Sequence, residues 1–179
     1  MWRGISKRLT PYLLHPRPAV LVGSCSRGEC SALVAAWVTP VSRDPPYIAV
    51  AIAPTRYTYS LLKGSGKFSV IVLPWDKLRN LHYLGTVSGR DVKDKLSRSG
   101  LKWSISDFGV PVCEEALAYA ECSLSKDIPC GDHQLIVGEV VNLFVKEGID
   151  IGSPPKYDVP MHVRGAKYVR LSNEVVTLE

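Results

Sequence analysis

The stretch Val38-Thr-Pro-Val-Ser-Arg-Asp-Pro-Pro46, "VTPVSRDPP", separates two apolar runs, Ala32–Trp37 and Tyr47–Ala53. A chain that only has to reverse direction does so in two residues. This one spends nine, with prolines at 40, 45 and 46 and hydroxyls at Thr39 and Ser42. A strand carrying Pro40 belongs at a sheet edge or a bend, because proline has no N–H to give a ladder. "RDPP" then returns the chain in a turn or extended geometry. The segment reads as a binding ledge on a sheet margin, with main-chain polar groups left over for a ligand.

Working outward, Ala19–Gly23 is short, apolar and β-branched, and "SCSRGEC" after it reads as a hairpin loop around Gly28. Ser31–Val41 reads as one strand, and Tyr47–Ala53 as a central one, apolar on both faces. Thr55 is placed to cap a helix that Gly64 or Gly66 ends. Lys67–Leu73 is a strand closed by Pro74. Residues 75–99 read as helical in two pieces around Gly85–Gly89, the second being "RDVKDKLSRSG". Ala116–Ser125 is a strand, "KDIPCGD" a turn, and His133–Val145 a long strand interrupted by Gly138. A loop from Gly148 to Val159 precedes short strands at Lys167–Leu171 and Glu174–Leu178. Six or more mostly antiparallel, hairpin-connected strands with two or three helices between them predict a mainly β fold: a small barrel with helical insertions.

The 179 residues suit one domain over 1–179 with a real core. Hydrophobic residues at 46% and charged residues at 22% are those of an ordinary globular protein. No apolar run approaches the roughly 20 residues of a membrane span. "MWRGISKRLTPYLLHPRP" has neither the apolar core nor the cleavage site of a signal peptide, so a cytoplasmic home is expected. The net charge of +5 comes from scattered basic residues, never a run of five, which argues against a nucleic-acid partner. Cys25 and Cys30 flank a turn and are near enough in sequence to meet across a hairpin. The odd total of 5 favours reading all the cysteines as small packing residues. His15, His82, His133 and His162 are far apart in sequence, so no metal cluster is expected. Walker A, G-x-S-x-G and G-x-G-x-x-G patterns are absent.

Two places carry chemistry. In "AIAPTRYTY" a strand runs directly into a helix whose first turn holds Thr55, Arg56 and Thr58. The unpaired N–H groups and partial positive charge of a helix start suit a phosphate. Arg56 adds a charged fork, and the hydroxyls add donors. The plainer alternative is a capping Thr55 and a solvated Arg56. In "GDHQLIVGEVV", His133 opens a strand at a turn and so stands at a barrel rim, where a lone histidine is often merely structural.

Taken in order, "GECSALVAAWVTPVSRDPPYIAVAIAPTRYT", "LLKGSGKFSVIVLP", "LGTVSGRDVKDKL", "EALAYAECSL" and "CGDHQLIVGEVV" resemble the flavin reductase-like domain family over about residues 16–146. "MHVRGAKYVRL" is similar to the segment that closes the family's barrel, so 147–179 is expected to close the barrel or a dimer. The resemblance implies an FMN-binding split β-barrel of Greek-key type. In it, Trp37, Val38, Thr39, Pro40, Val41 and Ser42 would lie along the isoalloxazine ring. Ala51, Ala53, Thr55, Arg56 and Thr58 would hold the ribityl and phosphate. Ser88, Gly89 and Lys95 would stand on the flavin's outer side. His133 falls on the family's "GDH" histidine, near flavin and nicotinamide, as an orienting or proton-supplying group. Two positions depart from the family pattern: Ser31 stands where Asn is frequent, and Leu96 where the family's "DKF" has an aromatic.

The implied activity is NAD(P)H:FMN oxidoreduction, with the chemistry residing in the cofactor and the protein holding the rings in contact. A homodimer and an electron-acceptor protein are implied partners. An FMN-binding electron carrier of flavoredoxin type needs the same ledge and phosphate site, so the sequence does not separate the two.

Overall fold

A computed structural model of the chain describes residues 2–151 and 158–171. A short 3-10 segment, Lys7–Leu14, leads into β1 (Arg17–Pro18), β2 (Val20–Ser26), β3 (Glu29–Ala35), β4 (Val38–Arg43) and β5 (Pro46–Ile52). Helix α1 (Tyr57–Ser65) follows, then β6 (Lys67–Val72), α2 (Leu78–Thr86) and the single turn α3 (Lys95–Arg98). The chain continues through β7 (Trp103–Ile105), β8 (Pro111–Cys113), β9 (Ala118–Cys130), β10 (His133–Val145), β11 (Met161–Arg164) and β12 (Lys167–Val169). The fold is mainly β with helical insertions, and among the described residues every strand pairing is antiparallel.

Seven strands form one sheet in the order β3-β2-β6-β9-β10-β5-β4. Its two outer strands, β3 and β4, are consecutive in the chain and joined only by Ala36 and Trp37. Laid flat, six strand spacings would hold those edges roughly 29 Å apart. Three peptide steps reach at most about 11 Å. The sheet therefore curls until its edges meet, and the line between β3 and β4 is the split of the barrel.

Inside lies a core of Val20, Val22, Val50, Ile52, Phe68, Ala120 and Ile136, closed at one end by Tyr59 and Leu62 of α1. A second cluster lies outside the barrel, where Leu21 and Ile71 meet Leu81 and Leu84 of α2 together with Leu101 and Cys113. β2 and β6 are thus buried on both faces, and their sequences are apolar runs rather than alternations. Gly138 bends β10 at a register shift, and a Cβ there would strike the Phe68 ring.

Several expectations are corrected. The single strand over Ser31–Val41 is two strands, bent at Ala36–Trp37 where the barrel closes. The "KDIPCGD" turn shrinks to Gly131–Asp132, because β9 runs on to Cys130 in register with β10. Pro129 is tolerated there because β6 has already left that edge at Ser123. The second helical piece of 75–99 is only α3, since Ser88–Asp94 is a chain of turns. Thr55 does not cap α1: the N-cap is Arg56, with no side-chain cap bond. Gly66, at φ 70°, ends the helix as expected. The strand expected at Glu174–Leu178, and part of the loop before it, lie outside the described residues.

The cysteine reading is also overturned. Arg27 and Gly28, both at positive φ, make a two-residue turn that sets Cys25 opposite Cys30, and the two form a disulfide. Cys113 and Cys122 are buried free thiols, as expected for packing residues, with pKa values pushed up to about 12 by burial. Among the described residues no helix is long and apolar enough to cross a membrane. Closing so short a loop gives a chain-entropy term of about 2 kcal/mol. Reducing Cys25–Cys30, or replacing both by serine, is expected to cost no more than that in chemical denaturation. A loss several times larger would mean the bridge holds more than its own hairpin.

Candidate functional site

The split is not filled by packing. Along it runs a groove with two lobes that share Leu33, Val34, Arg56, Gly85 and Thr86. The larger lobe, about 270 Å³, lies between the Ala36–Trp37 link with Ala51–Ala53 on one side and His82, His162 and Tyr168 on the other. The smaller, about 140 Å³, lies at the start of α1 between Thr55–Thr58 and the Val87–Gly89 turn, with Lys95 at its base. Neither lobe has a carboxylate among its described lining residues.

The smaller lobe is lined by two cations and a helix start. Thr58 is buried at 2% exposure in the first turn of α1, where Tyr59 N–H already bonds the Arg56 carbonyl at 3.1 Å. Lys95 is 4% exposed, and its Nζ donates to the Ala32 carbonyl at 2.6 Å. Burial, then the nearby Arg56 charge, lower its pKa to about 8. Among the described residues neither cation has an ion-pair partner. Two like charges facing one small cavity are the complement of a phosphate. Gly89 is needed by space: a Cβ would stand 2.6 Å from the Tyr57 ring and 2.8 Å from Ser31 Oγ. The Arg90 guanidinium ties this turn to α1 by donating to the Thr55 carbonyl at 2.6 Å.

In the larger lobe Trp37 and His133 stack with ring centres 4.7 Å apart. His133 Nδ1 is 2.7 Å from Asp132 Oδ1, which orients the imidazole. The opposite wall comes from two distant segments. Ala19 N–H bonds the Pro160 carbonyl, and β11 pairs with β1, so the β11–β12 hairpin is carried across the cleft onto α2. There the Tyr168 hydroxyl meets His82 Nδ1 at 3.2 Å, and His162 stands edge-on to Tyr168 at 5.4 Å. His82 and His162, far apart in sequence, thus meet at Tyr168, and His15 packs edge-on against His162. Among the described residues no group of three metal-ligating side chains forms.

The structure thus brings Trp37, Ala51, Ala53, Thr55, Arg56, Thr58, Ser88, Gly89, Lys95 and His133 to one groove. It does not bring Val38, Thr39, Pro40, Val41 or Ser42 there. Val38 packs on the core, while Thr39, Pro40 and Val41 are exposed along the edge of β4. The Trp37 carbonyl accepts from Ala51 N–H at 2.9 Å, so it is not left over for a ligand. Pro40 does interrupt the β4–β5 register, at a bulge between Pro40 and Ser42. Sequence reasoning missed His82, Thr86, His162 and Tyr168. "MHVRGAKYVRL" was expected to close the barrel or a dimer; it forms a hairpin in a separate sheet with β1, and nothing local shows that it lies across the cleft.

The chain is similar to known proteins over nearly its whole length. An uncharacterised protein of Pyrococcus abyssi is 34% identical over 170 residues, covering 93% of this chain and 97% of that one. An FMN-binding protein from Thermus thermophilus, solved with bound 1-cyclohex-2-enone, superposes with a TM-score of 0.89 at 29% identity, covering 99% of each chain. A flavoredoxin from Methanosarcina acetivorans shares the fold at a TM-score of 0.86 and 21% identity, over 99% of this chain and 95% of that one. With the family model for the flavin reductase like domain matching residues 12–166, the chain belongs to that family.

Proposed function

We propose that the groove holds FMN, ring in the larger lobe and phosphate in the smaller, and that the chain is an NAD(P)H-dependent flavin oxidoreductase. The observation that carries this is the buried Lys95 beside the exposed Arg56, both lining one lobe at a helix start with no carboxylate among its described lining residues. Arg56, Lys95 and Thr58 would hold the phosphate. Trp37, Ala51 and Ala53 would flank the ring. Ser88 and Gly89 would bound the phosphate lobe. Bound there, FMN would supply the hydride chemistry that no side chain offers.

The chain's own part is to bind, orient and exclude water. His133, held through Nδ1 by Asp132, keeps Nε2 for the cleft, where it can orient a second ring or hand on a proton. The Trp37–His133 stack shields one side of the slot. The unit would be a single domain over 1–179, located in the cytoplasm. A homodimer belongs to the same proposal: β5 pairs with β10 only as far as Glu139, and beyond it Val141, Leu143, Phe144 and Val145 are exposed beside an open strand edge. An electron-acceptor protein would take up the reducing equivalents.

The founding experiment is to titrate the purified chain with FMN and riboflavin and assay NADH and NADPH oxidation. Tight FMN binding with no turnover on either nicotinamide would favour an electron carrier reduced by another protein. No flavin binding at all would remove the proposal. Arg56→Ala is expected to weaken FMN by about tenfold to a hundredfold, the scale of one charge-assisted contact, and riboflavin hardly at all. Equal losses for both would take Arg56 off the phosphate.

Lys95 gives a pH signature. With its pKa lowered to about 8, the free protein carries the ammonium below that pH and loses it above. FMN affinity is therefore expected to fall as pH rises through about 8, and Lys95→Met to flatten that fall. His133→Ala is expected to slow flavin reduction by about tenfold to a hundredfold with FMN affinity nearly unchanged. An unchanged rate in stopped flow would make His133 a packing residue.

A further inference from the structure

The basic residues are scattered along the sequence, and the fold gathers seven of them on one face. Arg3, Lys7, Arg8 and Arg17 lie on the N-terminal segment and β1. Arg164, Lys167 and Arg170 come from the β11–β12 hairpin and its end, and β11 pairs with β1. The Arg164 guanidinium stacks on the Tyr12 ring at 4.9 Å, and Arg17 donates to the Pro11 carbonyl at 2.9 Å, so segment and hairpin make one surface. All seven except Arg17 are exposed. Among the described residues, the ion pair of Arg170 with Asp158 at 3.6 Å is the only one that any of them makes.

These seven cations and Asp158 account for the whole of the net charge of +5, because the rest of the sequence carries 15 Lys and Arg against 16 Asp and Glu. The excess positive charge is therefore a property of this face. Between the cations stand the exposed Trp2, Ile5, Leu13 and Leu14. Ile5 and Leu13 line an open pocket of about 650 Å³ together with Val163 and Arg164. Apolar anchors set among cations suit a partner whose own surface is negative.

The face is also the back of the groove wall. His162, Gly165 and Tyr168 line the larger lobe, while Val163 and Arg164 of the same hairpin line the outer pocket. One sheet layer, on the order of 10 Å, separates the two. A lipid surface or a nucleic acid gains nothing from that adjacency, whereas a protein that exchanges electrons with the lobe does.

We propose that this face docks an acidic electron-transfer protein, the acceptor of the reducing equivalents. The inference deepens the flavin reading and rests on it. Reduced FMN gives up two electrons and one proton, and a one-electron acceptor takes the electrons in two encounters. A small, electrostatically steered contact permits that exchange of partners.

The probe is ferric cytochrome c in two forms: native, which its lysines make basic, and succinylated, in which those lysines have become carboxylates. Binding to the chain, and reduction by the light-reduced FMN-loaded chain, are measured for both in the absence of oxygen. Expected is binding and reduction of the acidic form about tenfold better than the basic one at low salt, the difference closing at about 0.5 M salt. Arg8→Glu/Lys167→Glu is expected to abolish the preference, with FMN affinity within twofold and the thermal midpoint unchanged. Reduced FMN that had left the protein is itself an anion and would favour the basic form, so the direction of the preference identifies the face. The proposal is overturned if the basic form is preferred, if neither is, or if the double variant keeps the preference. It is equally overturned if anionic phospholipid vesicles or duplex DNA bind through these residues while the acidic haem protein does not, or if the variant turns a wild-type dimer into a monomer. Should the chain take up no flavin, that failure belongs to the flavin reading, and the binding comparison on flavin-free protein decides the face by the same criteria.

Discussion

Two residues joining opposite margins of a seven-stranded sheet constrain everything else in this molecule. Because Ala36 and Trp37 alone connect β3 to β4, the sheet has to roll up, and rolling brings two unpaired edges side by side. Edges left bare invite pairing with other chains. Here the seam is instead flanked by α1 and by the hairpin of β11 and β12, which leave a slot rather than a packed joint. The groove is thus a product of closure and not an addition to the fold. Its floor is the start of α1, which follows β5 after only four residues.

That origin explains why the cations are where they are. Lys95 descends from α3 through the Val87–Asp94 turns to reach the Ala32 carbonyl on β3, the strand on the far side of the seam. A buried ammonium beside a guanidinium works against folding. It persists where an anion completes it, and stability is then coupled to ligand through the ligand's concentration. Near the same lobe, the β2–β3 hairpin is held by Cys25–Cys30, and Glu29 accepts from the Tyr57 hydroxyl, whose ring lies against Gly89. The segments around the unfavourable charge pair are tied to one another independently of any ligand.

Much of this was readable in the sequence, for identifiable reasons. Strand runs such as 67–73 and 133–145 survive because β-branched apolar content is local information, and Gly66 because only a left-handed position needs it. That Thr55, Arg56 and Thr58 share one lobe followed from "APTRYT" because a strand running straight into a helix places its first turn locally. What the sequence could not place was non-local. Thr39–Ser42 were placed on the ligand through their main chain, but which side of β4 faces the groove depends on the bend at Trp37, and no spacing encodes that bend. The disulfide was passed over because the odd cysteine total favoured packing residues, although Cys25 and Cys30 stood where a hairpin could join them; the two-residue turn does set them opposite. His82, His162 and Tyr168 meet only because β11 pairs with β1, across some 145 residues of chain.

The two walls of the larger lobe are unequal in a way that bears on specificity. Trp37 and His133 sit on the barrel itself, in strands and links held by the main sheet. Of the facing residues, His82 is on α2, while His162 and Tyr168 ride on a three-stranded sheet outside the barrel, attached through β1 and the bond from Ala19 to Pro160. A cofactor bound against the rigid wall needs no change in the other. The outer hairpin is then free to vary in side chains without disturbing barrel closure, since only Tyr168 of its residues joins a core cluster. Division of labour follows from this connectivity: the rolled sheet and α1 set what the fold must hold, and the hairpin laid across the seam sets what else the slot admits.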